Sequence, residues 1–211
     1  MSNSLDLFAI KVHRDFYSKT DELKNNLFPK LKSIFEQTKG NNNIFMQDGT
    51  LCSYHTGSDI HKRFPDETKD IVEFIEEAAR KYWKDCNYHK DLEPFVYQMW
   101  ANETPQGGWI TPHLHGSTVF TGVLYVDASP EQGNLILENP LDMLLMSQPI
   151  GPDVEYPMIK EISVNTGDII MFPGFLKHSV RPNTIDRPRL ILAFNIGCRG
   201  SYWSGQWIKN V

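Results

Sequence analysis

The sequence predicts a mainly β protein of the barrel or sandwich type, supported by N-terminal helices. Three observations carry that prediction. From residue 94 onward, short β-branched and aromatic runs alternate with Gly, Pro, Asn and Asp: PFVYQMW, STVFTGVLYVD, GNLILEN, IKEISVN, GDIIMFP, HSVRPN and RLILAFNIG. So many short strands in about a hundred residues require a closed or two-layered sheet. Before residue 94 the apolar spacing is mostly helical, and no linker composition separates the two halves. The chain therefore reads as one domain over 1–211: a helical support at 1–93, a β core at 94–200 and a tail at 201–211.

Within the support, DELKNNLFPKLKSIFEQ places Leu23, Leu27, Leu31, Ile34 and Phe35 near helical spacing, with Pro29 as a kink or break. KGNNNIFMQDGT follows as loop and turn. PDETKDIVEFIEEAARKYWKDC is the clearest helix. Pro65 and Asp66 open it, acidic residues fill its first turn, and Ile71, Phe74, Ile75, Ala78 and Tyr82 form an apolar stripe. In the β half, the Met- and Pro-rich segment at residues 141–157 reads as a long loop, either a lid over a site or a cover for an open barrel end.

Composition narrows the function classes. The 211 residues are 40% hydrophobic and 22% charged, with a formal net charge of −5 and no basic block, so no clear nucleic-acid signal is present. No apolar run approaches a membrane span, and the first residues lack the pattern of a secretory signal. Cys52, Cys86 and Cys198 are odd in number and widely spaced, which predicts a reducing, cytoplasmic setting rather than a disulfide framework. The terminal GSYWSGQW is aromatic enough to serve as a homodimer contact or simply as packing.

The chemistry centres on TPHLHG. On a strand, His113 and His115 point to one face, so both imidazoles can meet one ion. Alone, such a pair is weak evidence. GDIIMFPGFLKHSVRPN adds His178 at the start of a strand that follows a Pro-Gly turn, and a closed barrel brings it toward the pair. In RPRLILAFN, alternation puts Arg189, Ile191, Ala193 and Asn195 on one face and Leu190, Leu192 and Phe194 on the other. An arginine heading an apolar strand is costly inside a barrel unless it meets an anion, such as a ligand carboxylate.

These segments resemble the Fe(II)- and 2-oxoglutarate-dependent oxygenases, and within them the small prolyl-hydroxylase-like oxygenases of bacteria and phages. The resemblance runs from Phe95 to Gly197 through WANETPQGGWITPHLH, TGVLYV, GNLILENP, GDIIMFPGFLKHSVRPN and RPRLILAFNIG, in order. It implies a cupin-like double-stranded β-helix (jelly roll) with Fe(II), 2-oxoglutarate and O2 as cofactor and cosubstrates, and hydroxylation of a small-molecule or peptide substrate with release of succinate and CO2. By the same resemblance, His113 and His178 are metal ligands, and Arg189 and Tyr125 bind the far carboxylate of 2-oxoglutarate. No catalytic residue beyond the metal site is implied.

His115 departs from the family, which has Asp or Glu there. Direct ligation as a third imidazole is the preferred reading. The others are that His115 points away, leaving water or Glu138 to complete the shell, or that the metal is not iron. A three-His cupin-type dioxygenase that does not use 2-oxoglutarate is the alternative enzyme, and a metal- or ligand-binding module is the non-enzymatic one. The cupin pattern fails at Val119 and Phe120, where its glutamate would stand. Arg187 is a reserve partner for the carboxylate. His13, His55, His61 and His89 have no convergent partner, and Asn102 and Glu103 could line the mouth of the site, with a turn role the preferred reading for each.

Overall fold

The computed structural model describes residues 9–38, 45–54, 59–141 and 158–200. The predicted loop at 141–157 and tail at 201–211 lie outside the described residues, apart from the exposed Leu141. In chain order the elements are β1 (His13–Phe16), α1 (Thr20–Asn26), α2 (Phe28–Thr38), β2 (Met46–Gln47), β3 (Leu51–Cys52), α3 (Ile60–Arg63) and α4 (Pro65–Asp85). Then come β4 (Glu93–Thr104), β5 (Trp109–His113), β6 (Phe120–Asp127), β7 (Leu135–Glu138), β8 (Ile159–Ile162), β9 (Asp168–Pro173), β10 (His178–Val180) and β11 (Arg189–Arg199).

The strands form two sheets, a six-stranded one in the order β1-β9-β6-β11-β4-β3 and a five-stranded one in the order β2-β5-β10-β7-β8. Their ladders are antiparallel throughout. Two facing sheets, with the chain crossing between them at almost every turn, make the double-stranded β-helix expected from the sequence. Among the described residues, no helix is long and apolar enough to cross a membrane.

The central strands of the six-stranded sheet are buried on both faces, and alternation sorts their side chains between two cores. Leu190, Leu192, Phe194 and Ile196 of β11 face the helices and pack with Leu27, Leu31, Ile71, Ile75 and Tyr82. Ile191 and Ala193 face the other sheet and pack with Trp100, Tyr125, Leu135, Ile170 and Phe172. The helices exist to cover the first face. α4 begins at Pro65, whose missing N–H costs nothing in a first turn, and it carries Asp66 and Glu67 at its positive end. Its residues Ile71, Ile75, Ala78 and Tyr82 are buried and Phe74 is partly so, as the stripe requires. The break expected near Pro29 falls at Leu27, leaving Pro29 in the first turn of α2.

The structure also places strands inside the N-terminal region that helical periodicity did not reveal. β1 adds itself to the edge of β9, with His13 opposite Met171 and Phe16 opposite Asp168. Arg14 holds this edge by donating from Nε and Nη2 to the Asp168 carboxylate at 3.1 and 2.7 Å, while Asn165 N donates to the same group. Four-residue and two-residue strands have too little periodicity to be read without their partners. β4 also runs on past the predicted Trp100 to Thr104.

Ile75→Ala tests the support. Ile75 is fully buried between α4 and the sheet. Its truncation is expected to cost about 2–5 kcal/mol, read as a lower urea midpoint with an unchanged m-value. A cost below about 0.5 kcal/mol would mean that α4 does not cover the sheet.

Candidate metal centre and its anion pocket

β5 and β10 are neighbours in the five-stranded sheet, and their register sets His113 directly opposite His178. Cross-strand partners share a face, so the two rings meet, with centroids 4.3 Å apart. His115 joins them at 5.2 and 5.1 Å. One ring nitrogen from each of the three lies within 4.8 Å of the others, the one His/Cys/Asp/Glu cluster of metal-binding geometry among the described residues. No carboxylate belongs to it. Glu138 is turned to Lys177, with its carboxylate 2.9 Å from the Nζ.

The reason expected for His115 needs correction. Strand β5 ends at His113, so His115 is not placed by strand alternation. It sits in the turn toward β6, where its N–H donates to Gly174 O at 2.9 Å. That contact requires glycine at 174, because a Cβ would lie 2.3 Å from the Thr118 methyl and 3.0 Å from His115 O. Counting by twos from His115 to Tyr125 therefore crosses a turn, which includes Ser117 at positive φ. Tyr125 still faces inward, because it continues the Val123 face of β6.

Hydrogen bonds fix which nitrogen each ring presents. His113 Nδ1 is 2.8 Å from Thr111 O and His178 Nδ1 is 2.9 Å from Leu176 O. A carbonyl only accepts, so both Nδ1 atoms carry the proton and both Nε2 lone pairs are free. Burial lowers the proton affinity of all three imidazoles, His178 to about 3. For His178 the neighbouring His113 is the next cause. The cluster is thus three neutral imidazoles at pH 7, the form that ligates metal.

Arg189 heads β11 with no exposure at all. Nη1 donates to Gln132 O at 2.7 Å and Gly133 O at 2.8 Å, and Nη2 donates to Thr104 Oγ1 at 3.4 Å. Nε has no partner among the described residues, and neither does the phenol oxygen of buried Tyr125. Both residues line the same cavity as the three histidines, walled otherwise by Trp100, Ile110, Val123, Leu135, Ile191 and Ala193. Burial pushes Tyr125 up to about 12, against the opposing effect of Arg189, so it stays a donor. Among the described residues, no acid pairs with this guanidinium. Gly133, at φ +97°, lets it approach: a Cβ there would fall 2.0 Å from Arg181 O and 2.8 Å from Arg189 Nη1.

The other sequence candidates separate from this centre. Arg187 is spent on Gln132 Oε1 at 3.0 Å and on Asp127, which Lys24 also contacts, so it braces the loop behind Arg189. His13 stacks on Tyr82 in the helix-facing region, and His61 and His89 stand apart. His55 lies outside the described residues. Asn102 was read as a turn residue, but it is a buried β4 side chain lining the cavity, and its Oδ1 is unpaired. Its signal was alternation with Trp100 and Thr104, which appears only once β4 is known to continue past Trp100.

The double-stranded β-helix thus places a neutral three-imidazole cluster and a buried guanidinium on one cavity. Residues 98–195, just under half of the chain, match the family model described as "Putative 2OG-Fe(II) oxygenase", and they include His113, His115, Tyr125, His178 and Arg189. No curated protein sequence matches it. Solved structures resemble its fold. A prolyl-4-hydroxylase from Pseudomonas putida is 14% identical with TM-score 0.57, over 90% of this chain and 94% of that one. HygX from Streptomyces hygroscopicus, solved with nickel and 2-oxoglutarate bound, is 12% identical with TM-score 0.55, over 89% and 83%. The chain spans 57% of an oxidoreductase of the 2OG-Fe(II) oxygenase family from Burkholderia pseudomallei, with 62% of its own length at 15% identity and TM-score 0.45.

The depressed histidines predict a pH dependence for the metal-free protein. Their folded proton affinity lies below the usual 6.5, so between 6.5 and about 3 the unfolded chain binds more protons. Stability is complete above 6.5 and falls as pH drops through that window, by up to about 1.4 kcal/mol per pH unit for His178. Urea titrations from pH 7.5 to 4.5 should show the loss, and His178→Phe should flatten it. An equal slope in that variant would assign the loss elsewhere.

Proposed function

We propose that the chain is an Fe(II)- and 2-oxoglutarate-dependent dioxygenase, a single domain that hydroxylates a small-molecule or peptide substrate. One observation carries the reading: a fully buried arginine with no acid partner among the described residues opens onto the same cavity as three neutral imidazoles. A buried guanidinium held by neutral acceptors alone keeps an unbalanced charge that costs several kcal/mol, and a carboxylate arriving from solution removes that cost. The donor set fits iron, because imidazole suits it and three ligands grouped on one side leave positions open. That HygX, of similar fold, holds 2-oxoglutarate and nickel supports the same ligand class here.

In this reading His113, His115 and His178 would hold the metal, each offering its unprotonated ring nitrogen. Bound iron supplies the chemistry, coupling O2 and the decarboxylation of 2-oxoglutarate to succinate and CO2 with insertion of one oxygen atom into a substrate C–H bond. Arg189 donates its free Nε–H, and Tyr125 its phenol proton, to the far carboxylate of 2-oxoglutarate. Val123, Leu135, Ile191 and Ala193 keep water from that end of the cavity. Thr111 and Leu176 carbonyls hold two of the rings in the ligating tautomer. The substrate approaches from the opposite side, through a pocket lined by Phe45, Tyr54, Tyr97, Trp100 and Leu114. All three cysteines are free, which supports the expected cytoplasmic setting.

The purified Fe(II) protein with O2 is expected to convert 2-oxoglutarate slowly to succinate even without substrate. No succinate, together with no 2-oxoglutarate binding to the anaerobic Fe(II) protein, would sink the reading. Arg189→Gln should weaken 2-oxoglutarate by about 2–5 kcal/mol in anaerobic calorimetry while leaving Fe(II) affinity within a few-fold. Equal losses of both ligands would mean that Arg189 supports the fold rather than the carboxylate.

A further inference from the structure

His115 is the one imidazole of the cluster whose Nδ1 meets no backbone carbonyl. It lies 2.7 Å from Asn195 Oδ1 and 2.9 Å from Thr121 Oγ1. Thr121 donates its own proton to Phe194 O at 3.2 Å, so toward His115 it acts as an acceptor. Asn195 is ambiguous by itself, because an amide presents oxygen on one side and NH2 on the other. Thr121 resolves it: an acceptor at Nδ1 puts the ring proton there, so Asn195 turns its oxygen to His115 and its Nδ2 donates to Gln98 Oε1 at 2.8 Å. With that bond made, oxygen faces His115, Nδ1 carries the proton, and Nε2 keeps its lone pair for the cluster. Were the amide reversed, its NH2 would call for a bare Nδ1 and a protonated Nε2, which cannot ligate.

The backbone prepares this arrangement. The pairing of β11 with β4 steps from Asn195 opposite Gln98 to Ile196 opposite Val96, so Tyr97 is an unpaired bulge residue. A bulge re-aims side chains. Here Tyr97 and Gln98 both reach the outer pocket, which also contains His115 and Asn195. The amide pair therefore runs from a pocket wall to the third imidazole.

We propose that Gln98 and Asn195 are positioning residues: Gln98 orients the Asn195 amide, and Asn195 holds His115 in the Nδ1–H tautomer that presents Nε2 to the metal. The inference rests on the metal-site reading above and deepens it. An imidazole in a position that a carboxylate usually fills has two faces to choose between, and this pair makes the choice.

The test is done first on the metal-free protein with 15N-labelled histidine, where two-bond 1H–15N spectra report the tautomer. Wild type is expected to show His115 as Nδ1–H. In a Thr121→Val background, which removes the second acceptor at Nδ1, Gln98→Met and Asn195→Ala should shift it toward Nε2–H and weaken Co(II) binding, followed by d–d absorption, about 10–100-fold. Asn195→Asp, which can only accept, should keep both tautomer and Co(II) affinity. A wild-type His115 protonated at Nε2 overturns the proposal. So does an Asn195→Ala protein in that background with the tautomer and affinity of Thr121→Val alone, or an Asn195→Asp protein as impaired as the alanine variant. None of these readouts uses 2-oxoglutarate, so an absence of succinate formation would leave this result standing apart.

Discussion

The burial of the Arg189 guanidinium between two apolar sheets is the constraint on which the rest of the site depends. A charge at that depth must be held, or the sheets would open to admit water. The protein meets part of the demand with neutral acceptors, the carbonyls of Gln132 and Gly133 and the Thr104 hydroxyl. The remainder is left for a ligand. Much of the surrounding structure follows. Gly133 is needed because any side chain would strike the guanidinium or Arg181 O. Gln132 is fully buried and braced by Arg187, which fixes the loop that supplies both carbonyls.

The imidazole end obeys the opposite rule. Its groups are neutral, and burial keeps them so. Strand register brings His113 and His178 together, and backbone carbonyls two residues earlier in each segment set their tautomers. His115 arrives by a different route, from a turn tied to Gly174, and is oriented by side chains. The cluster is therefore built from two kinds of support, rigid ladder and adaptable amide. The metal end and the anion end share one cavity because β6 and β11 are neighbours in one sheet while β5 and β10 are neighbours in the other.

The helices matter to the site indirectly. The central strands of the larger sheet present apolar side chains on both faces, and only one face is occupied by the opposing sheet. α1, α2 and α4 cover the other, which keeps β11 dry enough to carry Arg189 at its start. Burial on both faces also explains why β11 reads as a continuous apolar run rather than an alternating one.

The sequence by itself determined the class of fold, the longer strands, the α4 stripe and the candidate groups His113, His178, Tyr125 and Arg189. The fold, the strands, the stripe, His113, His178 and Arg189 follow from local rules of periodicity, turn residues and the cost of a charge in an apolar run, whereas Tyr125 was named through the family resemblance. His115 was legible as a candidate, but for a reason that the structure replaced, since strand alternation stops at His113. Tertiary structure alone decided the short edge strands β1, β2 and β3, the inward aim of Asn102, the bulge at Tyr97 and the bond between Gln98 and Asn195. These depend on which strands become neighbours and in what register. A shift of one residue in pairing turns a side chain to the other face, and no local pattern in β4 or β11 records the partner that fixes it.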